Sequence, residues 1–385
     1  MSAISCPETT PERVIRTATT DDIDRLVELE SLCFTSDRIS RRQFRWMITR
    51  ANAELRLCES AGQLLGYVLV LFHKGTSLAR LYSLAISPAH QGQGIGRQLL
   101  NEAERLSEAH RCVYLRLEVD PRNHTAVALY ESQGFQQFGT REDYYQDHAD
   151  ARLYQKRTLH TPPLVACQVP YYEQTLDFTC GPASLIMAMR ALQPSLPADR
   201  TLEVQLWREA TTIYMTSGHG GCSPYGLALA AHRRGFQARL LVNDDGPMFL
   251  DGVRRSDKKA VMELVHADFV SQIAGTDIQV RCADFSTQDL VTALSHGCVP
   301  LVLISSWRFN DNKAPHWVVL VAADDTFVYL HDPDVDTQLS KAPGDTLSVP
   351  VRIDSFDRMI RFGQSRMQAA LCLCPPANEP PSNND

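Results

Sequence analysis

Two hydrophobic periods alternate along the first 160 or so residues of the chain. In one, apolar side chains recur at helical spacing after acidic residues that suit a helix start, as in "TTDDIDRLVELESLCF". In the other, short apolar runs such as "ARLYSLAIS" have the length and composition of strands. The patterns predict helices at 19–34, 96–110 and 123–135, and strands at 64–75, 79–87 and 113–119. Such alternation is typical of an α/β domain.

A proline-rich stretch interrupts this alternation. "RTLHTPPLVACQVP" contains three prolines and predicts a linker. After it, helices are expected from Cys180 and at 223–236, and strands near 298–306, 316–323 and 326–331, an order that suits an α+β domain. The expected organisation is a first domain at 13–158, a linker at 159–168, a second domain at 169–375 and a polar, disordered tail at 376–385.

Length, charge and cysteine content narrow the class of protein. A chain of 385 residues exceeds one ordinary domain, and a net charge of −7 argues against a nucleic-acid partner. No apolar run approaches the length that crosses a bilayer, and the first residues lack the apolar segment of a signal peptide. We therefore expect a cytoplasmic protein without membrane insertion, whose eleven cysteines are free thiols. The sequence does not determine the oligomeric state.

The cysteines give no reason to expect a metal site. Cys372 and Cys374 form a "CLC" pair inside an apolar run. Residues two apart share one face of a strand, so two buried thiols on a strand explain the pair better than metal ligands do. No metal is predicted.

The stretch "LYSLAISPAHQGQGIGRQLL" predicts a strand, a glycine loop and a helix start. At Gly94 and Gly96 no Cβ keeps a ligand away from the backbone, and the amides of a helix start attract phosphate. A dinucleotide site would need a further glycine where Leu99 stands, so that type of site is excluded.

The loop and a later stretch together resemble the GNAT acetyltransferases. The loop fits the family pattern Gln/Arg-x-x-Gly-x-Gly/Ala, and "YLRLEVDPRNHTAVALYESQGF" is similar to the second half of the family's acetyl-CoA site. The resemblance covers 13–158, is strongest to the ribosomal-protein alanine acetyltransferases of bacteria, and implies a mixed central sheet flanked by helices. It implies these contacts to acetyl-CoA, the cosubstrate: Leu84, Ala85, Ile86, Gln91, Gly92, Gln93, Gly94, Ile95, Gly96, Arg97, Asn123 and Tyr130.

The same resemblance assigns the chemistry of acetyl transfer. Glu118 matches the general base and Tyr130 the general acid that protonates the leaving thiolate. An ammonium must lose a proton before it attacks a thioester, so a carboxylate is required nearby. From the residues alone, Glu118 could be an outward charge on an edge strand and Tyr130 a core tyrosine. The acceptor is expected to be a peptide or protein amine. Residues 37–39 depart from the family's acceptor region, so the acceptor need not be ribosomal.

A second set of residues suits a cysteine nucleophile. Cys180 stands at the start of a predicted helix, whose dipole favours a thiolate, and Gln174 is placed to donate to an oxyanion. His316 opens an apolar strand and Asp332 follows the next one, so adjacent antiparallel strands would bring them together. His331 is an alternative base, and His219 is read as a loop residue or a lining residue of the cleft.

The order Gln, Cys, His, Asp resembles the papain-like cysteine peptidases that process bacteriocin leader peptides. The resemblance covers 163–375 and implies a Cys-bearing helix packed on an antiparallel sheet. The chain is therefore interpreted as a bifunctional enzyme, an N-acetyltransferase joined to a cysteine peptidase. The alternative is an acetyltransferase of a small amine whose second domain is an amidase or an inactive peptide-binding module.

Overall fold

The computed structural model divides the chain into two compact units. Unit 1 comprises residues 1–160 and unit 2 comprises residues 161–385. The residues that it describes are 12–159, 163–211, 220–250, 253, 255–305, 315–335, 343–363 and 365–375. His219 and the expected tail at 376–385 lie outside this described part of the chain.

Unit 1 alternates strands with helices. Its strands are β1 (Arg13–Thr17), β2 (Ala53–Ser60), β3 (Gln63–Phe72), β4 (Leu78–Ile86), β5 (Tyr114–Val119), β6 (Gln136–Arg141) and β7 (Ala151–Arg157). Its helices are α1 (Ile23–Cys33), α2 (Arg41–Thr49), α3 (Ile95–Ala109) and α4 (His124–Ser132). The strands form one sheet in the order β1-β2-β3-β4-β5-β7-β6, in which β4 and β5 are parallel and the other pairs antiparallel.

Both faces of this sheet are covered. One face packs against α3 and α4, with Leu99, Leu115 and Leu117 in its core. The other packs against α1 and α2, around Leu26 and Phe44. Because the sheet is buried on both faces, its central strands are apolar runs, which is why the sequence showed them so clearly.

The parallel strands β4 and β5 separate part-way along their length. Leu78, Ala79 and Arg80 pair with residues 114–116, and the pairing ends there, although β4 continues to Ile86. A register shift in the pairing of β4 with β3 falls between the partners of Leu69 and Val70. The two strands therefore form a cleft at their carboxyl ends, beside the glycine loop.

Unit 2 contains a second sheet. Its strands are β8 (Val165–Ala166), β9 (Gln237–Val242), β10 (Gln279–Cys282), β11 (Val299–Ser305), β12 (Pro315–Ala323), β13 (Phe327–His331), β14 (Val349–Arg352) and β15 (Ala369–Cys374). Its helices are α5 (Cys180–Leu192), α6 (Arg200–Ala210), α7 (Pro224–His232), α8 (Ser256–Ile273), α9 (Thr287–Ser295) and α10 (Ile353–Met359).

The strand order of this sheet is β10-β9-β15-β11-β12-β13-β14, and β8, from the stretch expected as linker, pairs with β12. Every pair is antiparallel except β10 with β9. Residues 181–189 of α5 are all buried, which fits a helix that is apolar on every side. Unit 2 is thus the expected Cys-bearing helix in contact with a largely antiparallel sheet.

One expectation about the cysteines is wrong. Cys298, just before β11, forms a disulfide with Cys374 at the end of β15, so these two are not free thiols. Antiparallel pairing of β11 with β15 sets Val299 opposite Leu373 and so brings the two cysteines together. Cys372 remains a buried thiol and packs in the same core cluster as Cys374, so the two do share one face of the strand.

Among the described helices, none is both long and apolar enough to cross a bilayer.

Candidate active sites

The glycine loop of unit 1 ends at the first turn of α3. Gly92 and Gly94 have φ angles of 75° and 80°, a conformation that favours glycine, and a Cβ at either position would meet nothing within 4 Å. Gly94 is the N-cap residue of α3, and no side chain caps this helix start. Uncapped amides beside open space fit an anionic group such as a pyrophosphate.

Gly96 differs from Gly92 and Gly94 in what surrounds it. A Cβ on Gly96 would lie 3.1 Å from Leu129 Cδ2 and 3.4 Å from Ile86 Cδ1. The residue therefore allows α3 to pack closely on α4 and β4, and its small size is explained without a ligand.

The other residues matched to the cofactor site surround the cleft. Leu84, Ala85 and Ile86 lie on β4 beyond the point where β5 separates from it. The carbonyl oxygen of Gln93 accepts a hydrogen bond from Arg13 at 2.8 Å. Asn123 caps α4, since its Oδ1 accepts from the amide of Ala126 at 3.1 Å.

Three further matched residues belong to the loop and to the first turns of α3. Gln91 donates through Nε2 to the carbonyl of Ile86 at 3.5 Å. Ile95 is buried in the core, and Arg97 is exposed. The matched residues of this stretch thus run from the end of β4 through the glycine loop into α3.

Glu118 is buried in the sheet and forms an ion pair. Its side chain is 6% exposed, and Oε2 lies 2.9 Å from Nε of Arg80. β5 lies between β4 and β7, so the reading of Glu118 as an outward charge on an edge strand is wrong. Arg80 also donates to the hydroxyl of Tyr144 at 2.8 Å and lies over the ring of Tyr82. Sequence reasoning missed Arg80, whose signal is a lone cation inside the apolar run "ARLYSLAIS".

Tyr130 is a core residue as well as a candidate acid. It lies in the core between the sheet and α3, with its ring 5.8 Å from that of Phe135. Burial raises the pKa of Tyr130 well above its usual value, so the phenol keeps its proton. A phenol that stays protonated is what a donor to a leaving thiolate requires.

Unit 2 brings Cys180, His316 and Asp332 together. Pairing of β12 with β13 sets Val319 opposite His331, which places His316 and Asp332 at the same end of the two strands. His316 Nε2 lies 2.6 Å from Asp332 Oδ1, and the His316 side chain also hydrogen-bonds Cys180 at the start of α5. Because Nε2 is held by Asp332, Nδ1 is the ring nitrogen available to the thiol.

The surroundings of His316 favour its charged form. Burial lowers its pKa, but the charge of Asp332 and the hydrogen bonds to Asp332 and Cys180 together outweigh burial and raise the pKa from 6.5 to about 10. Asp332 is itself fixed, since its amide donates to the carbonyl of Thr346 at 2.9 Å and Oδ1 also accepts from the amide of Asp334 at 3.0 Å. An oriented imidazolium beside a thiol stabilises the thiolate.

His331, the alternative base, is a structural residue. Its Nε2 donates to the carbonyl of Val169 at 3.0 Å, and its Nδ1 accepts from the amide of Ser348 at 3.0 Å. Both ring nitrogens are therefore engaged by the backbone, and the imidazole is held in one neutral tautomer. His316 is the histidine at the thiol.

Gln174 lies beside the aspartate loop, in an orientation that the sequence did not suggest. Its amide donates to the carbonyl of Pro333 at 2.9 Å, and its Nε2 is 3.4 Å from Asp334 Oδ1. Its Oε1 is buried with no hydrogen-bond partner among the described residues. Donation to an oxyanion would require the side-chain amide to turn so that Nε2 takes the place of Oε1.

The glycine after the nucleophile is required by packing. A Cβ on Gly181 would lie 3.2 Å from both Cys222 Cβ and Trp317 Cδ1. Glycine thus lets α5 approach β12 closely enough for Cys180 to reach His316.

A profile of the Peptidase_C39 like family matches residues 169–374, more than half of the 385-residue chain. The chain belongs to this family. The thiol, imidazole and carboxylate described above all lie within the matched range. Unit 2 is therefore the part of the chain that matches the Peptidase_C39 like family.

Unit 1 is a GNAT acetyltransferase domain. A profile of the Acetyltransferase (GNAT) family matches residues 23–135. The putative ribosomal protein bS18-alanine N-acetyltransferase of Bacillus subtilis is 30% identical over 139 residues, which are 36% of this chain and 91% of that protein. The N-alpha-acetyltransferase RimI of Mycobacterium tuberculosis is 35% identical over 133 residues, 32% of this chain and 78% of RimI. The crystal structure of the ribosomal-protein-S18-alanine N-acetyltransferase from Escherichia coli is 25% identical and covers 39% of this chain and 97% of its own, with a TM-score of 0.36.

Proposed function

We propose that this Peptidase_C39-like protein is a bifunctional, cytoplasmic enzyme. Unit 1 would acetylate the α-amine of a peptide or protein, and unit 2 would cleave a peptide bond through Cys180, His316 and Asp332. The observation that carries the proposal is the buried contact of His316 with both Asp332 and Cys180, in a chain that also has a GNAT domain. The protein acceptor is supported by the names of the relatives, which are alanine N-acetyltransferases of a ribosomal protein.

In unit 1 the residues of the cleft would move two protons. Acetyl-CoA supplies the acetyl thioester, with its pyrophosphate at the amides of residues 92–96. Glu118 accepts the proton of the acceptor ammonium, through a water molecule because its carboxylate is held by Arg80. The free amine then attacks the thioester carbonyl, the C–S bond breaks, and Tyr130 donates its proton to the leaving sulfur. The nitrogen of the new amide gives up its extra proton, which returns through water to the phenolate.

In unit 2 the thiolate of Cys180 attacks the carbonyl carbon of the scissile amide. The amides at the start of α5 and the side chain of Gln174 would stabilise the oxyanion. The imidazolium of His316 gives its proton to the leaving amine, and the C–N bond breaks to leave a thioester on Cys180. His316 then takes a proton from water, whose oxygen attacks the thioester and releases the acid. Each cut exposes a new α-amine, which is the kind of group that unit 1 would acetylate.

A peptide library analysed by mass spectrometry tests both activities together. The wild-type protein is incubated with and without acetyl-CoA, beside Cys180→Ser and Glu118→Gln. We expect cleavage in wild type and Glu118→Gln alone, and a gain of one acetyl group on amines in wild type and Cys180→Ser alone. Acetylation without cleavage in wild type would favour the inactive peptide-binding module. Cleavage of side-chain amides only would favour the amidase.

A further inference from the structure

The segment that leads to the nucleophile has no regular secondary structure of its own. Residues 172–179 are neither helix nor strand, yet they carry Gln174 and end at Cys180. An irregular segment keeps a fixed conformation only where side chains or neighbouring elements bind its polar groups. Residues 172–179 therefore need such a partner.

Glu203, on α6, binds the segment at three residues. Its Oε1 accepts from the amide of Thr175 at 2.8 Å and from the hydroxyl of Thr179. Its Oε2 accepts from the hydroxyl of Thr175 at 2.7 Å and from that of Tyr172 at 3.0 Å. The residue is 0% exposed.

These hydrogen bonds favour a carboxyl side chain. An ionised carboxylate only accepts, and three donors point at this one: the amide and hydroxyl of Thr175 and the hydroxyl of Tyr172, with the Thr179 hydroxyl in contact with Oε1. A side-chain amide in the same place would present N–H groups to two of those donors and leave them unsatisfied. Buried donors without partners are costly, so the site favours a carboxyl side chain over an amide at this position.

The bond from Thr179 also affects the start of α5. Thr179 is the N-cap residue of this helix, but its hydroxyl does not cap it. The hydroxyl lies between two acceptors instead, Glu203 and the carbonyl of Leu176 at 2.8 Å, and its single proton is shared between them. The N-terminal amides of α5 are therefore not taken by their own N-cap side chain, which suits a helix start that serves a thiolate or an oxyanion.

We propose that Glu203 is a positioning residue of the peptidase site. Its carboxylate holds the residues on both sides of Gln174, and the residue just before Cys180, in one arrangement. Gln174 and the first turn of α5 are thereby aligned with the His316 imidazole. The inference rests on the proposed peptidase activity and adds to it a residue that touches neither substrate nor nucleophile.

Glu203→Gln is the first test, in the full-length protein. Misplacement of catalytic groups by about 1 Å can cost a hundredfold in rate. We expect kcat for peptide cleavage to fall about tenfold to a hundredfold, with a smaller change in KM. Alkylation of Cys180 by iodoacetamide should fall much less, because His316 and Asp332 are untouched. A wild-type kcat in this variant would overturn the inference.

Asp324→Asn is the matched control for lost stability. Asp324 is also buried and accepts from the amides of Thr326 and Phe327 and the hydroxyl of Tyr329, in the turn between β12 and β13. It makes none of the contacts to residues 172–179 that Glu203 makes. We expect this variant to lose stability but keep its kcat per folded molecule. An equal loss of kcat in both variants would show a general structural effect and overturn the inference.

Two further measurements separate this inference from the proposed function. Thr179→Ser keeps the hydroxyl and should retain kcat, whereas Thr179→Val should lose it and add little to Glu203→Gln, because both break one network. Hydrogen exchange at the amide of Thr175 needs no substrate: its protection should fall in Glu203→Gln and persist in Asp324→Asn. If wild type cleaves nothing, the peptidase proposal fails, and exchange alone decides whether Glu203 holds the segment. If the Thr175 amide is protected equally in Glu203→Gln and wild type, Glu203 does not fix the segment.

Discussion

Two histidines of unit 2, His316 and His331, have different roles because different groups surround their rings. His316 and His331 are both histidines near the end of apolar strands, and either could have been the base. His331 donates through Nε2 to a backbone carbonyl and accepts through Nδ1 from a backbone amide, while His316 lies between a carboxylate and a thiol. The same residue type thus has a structural role at one position and a chemical role at the other.

The reactivity of Cys180 should depend on His316. We expect iodoacetamide to alkylate Cys180 faster than Cys112 or Cys222 near neutral pH, because burial raises the pKa of both of those thiols. His316→Ala should slow the reaction at Cys180, and Asp332→Ala should slow it less. Mass-spectrometric peptide mapping measures each rate, with exposed Cys282 as the internal reference that neither substitution changes.

The titration of His316 gives a second prediction. Its pKa is raised from 6.5 to about 10, so its imidazolium stabilises the fold fully below pH 6.5, and this contribution is lost as the pH rises through about 10. NMR titration of the ring protons should show the transition near pH 10. Asp332→Asn should lower that pKa, since it removes the main group that raises it. A wild-type transition near pH 6.5 would contradict the ion pair.

Replacing Glu118 should affect turnover rather than cofactor binding. General-base assistance is commonly worth about a hundredfold to ten-thousandfold, so Glu118→Gln should lower kcat within that range. The loss should shrink at high pH, where the acceptor amine is already deprotonated. Glu131→Gln is a suitable control, because Glu131 accepts from Tyr154 at 2.7 Å on α4 and has no proposed part in the transfer. Equal rates for Glu118→Gln and wild type at neutral pH would remove Glu118 from the mechanism.

At the scale of elements, the glycine loop was recognised correctly, but its glycines serve different purposes. Gly92 and Gly94 adopt left-handed backbone conformations beside open space, whereas Gly96 is small because α4 packs against it. A motif written in letters does not separate these reasons. Likewise, β4 and β5 could be predicted as strands, but the point at which they separate follows from pairing across the sheet.

A pair of alanine substitutions separates backbone strain from cofactor binding. An L-residue in the left-handed region costs about 1–2 kcal/mol, so Gly94→Ala should lower the stability of unit 1 by about that much. It should also weaken the binding of acetyl-CoA, measured by calorimetry, because the loop conformation changes. Gly62→Ala has the same strain, with φ of 78° and open space, in the turn between β2 and β3. It should destabilise unit 1 equally and leave the affinity for acetyl-CoA unchanged. If both variants bind acetyl-CoA with equal affinity, the glycine loop is not the binding site.

At the scale of the whole molecule, the chain contains domains of two protein families, one after the other. Unit 1 has its own cores on both faces of its sheet, and unit 2 has a core of its own around β11, β12 and β13. Each unit therefore has a hydrophobic core of its own, as an independently folding domain requires. The chain thus joins a GNAT acetyltransferase domain to a Peptidase_C39-like domain in one polypeptide.

The two units should be separable near residue 160. We expect residues 1–160 to fold alone and bind acetyl-CoA with the affinity of the full chain, and residues 161–385 to fold alone with a reactive Cys180. Circular dichroism and calorimetry on the separate fragments measure this. Fragments that are insoluble alone and become soluble only on co-expression would argue instead for one fused core.

The sequence by itself determined the two-family organisation, the principal helices and strands, and the residue types of both sites, because these depend on local periodicity and on short motifs. It did not reveal Arg80 beside Glu118, Glu203 beneath the nucleophile segment, or the disulfide between Cys298 and Cys374. It also missed α2 and the strands β1, β2, β6 and β7, whose apolar patterns are short or broken by charge. The two ion or hydrogen-bond contacts and the disulfide join residues that are distant in the chain. Which partner a buried charge or thiol meets is fixed by strand register and helix packing, and those exist only once the chain has folded.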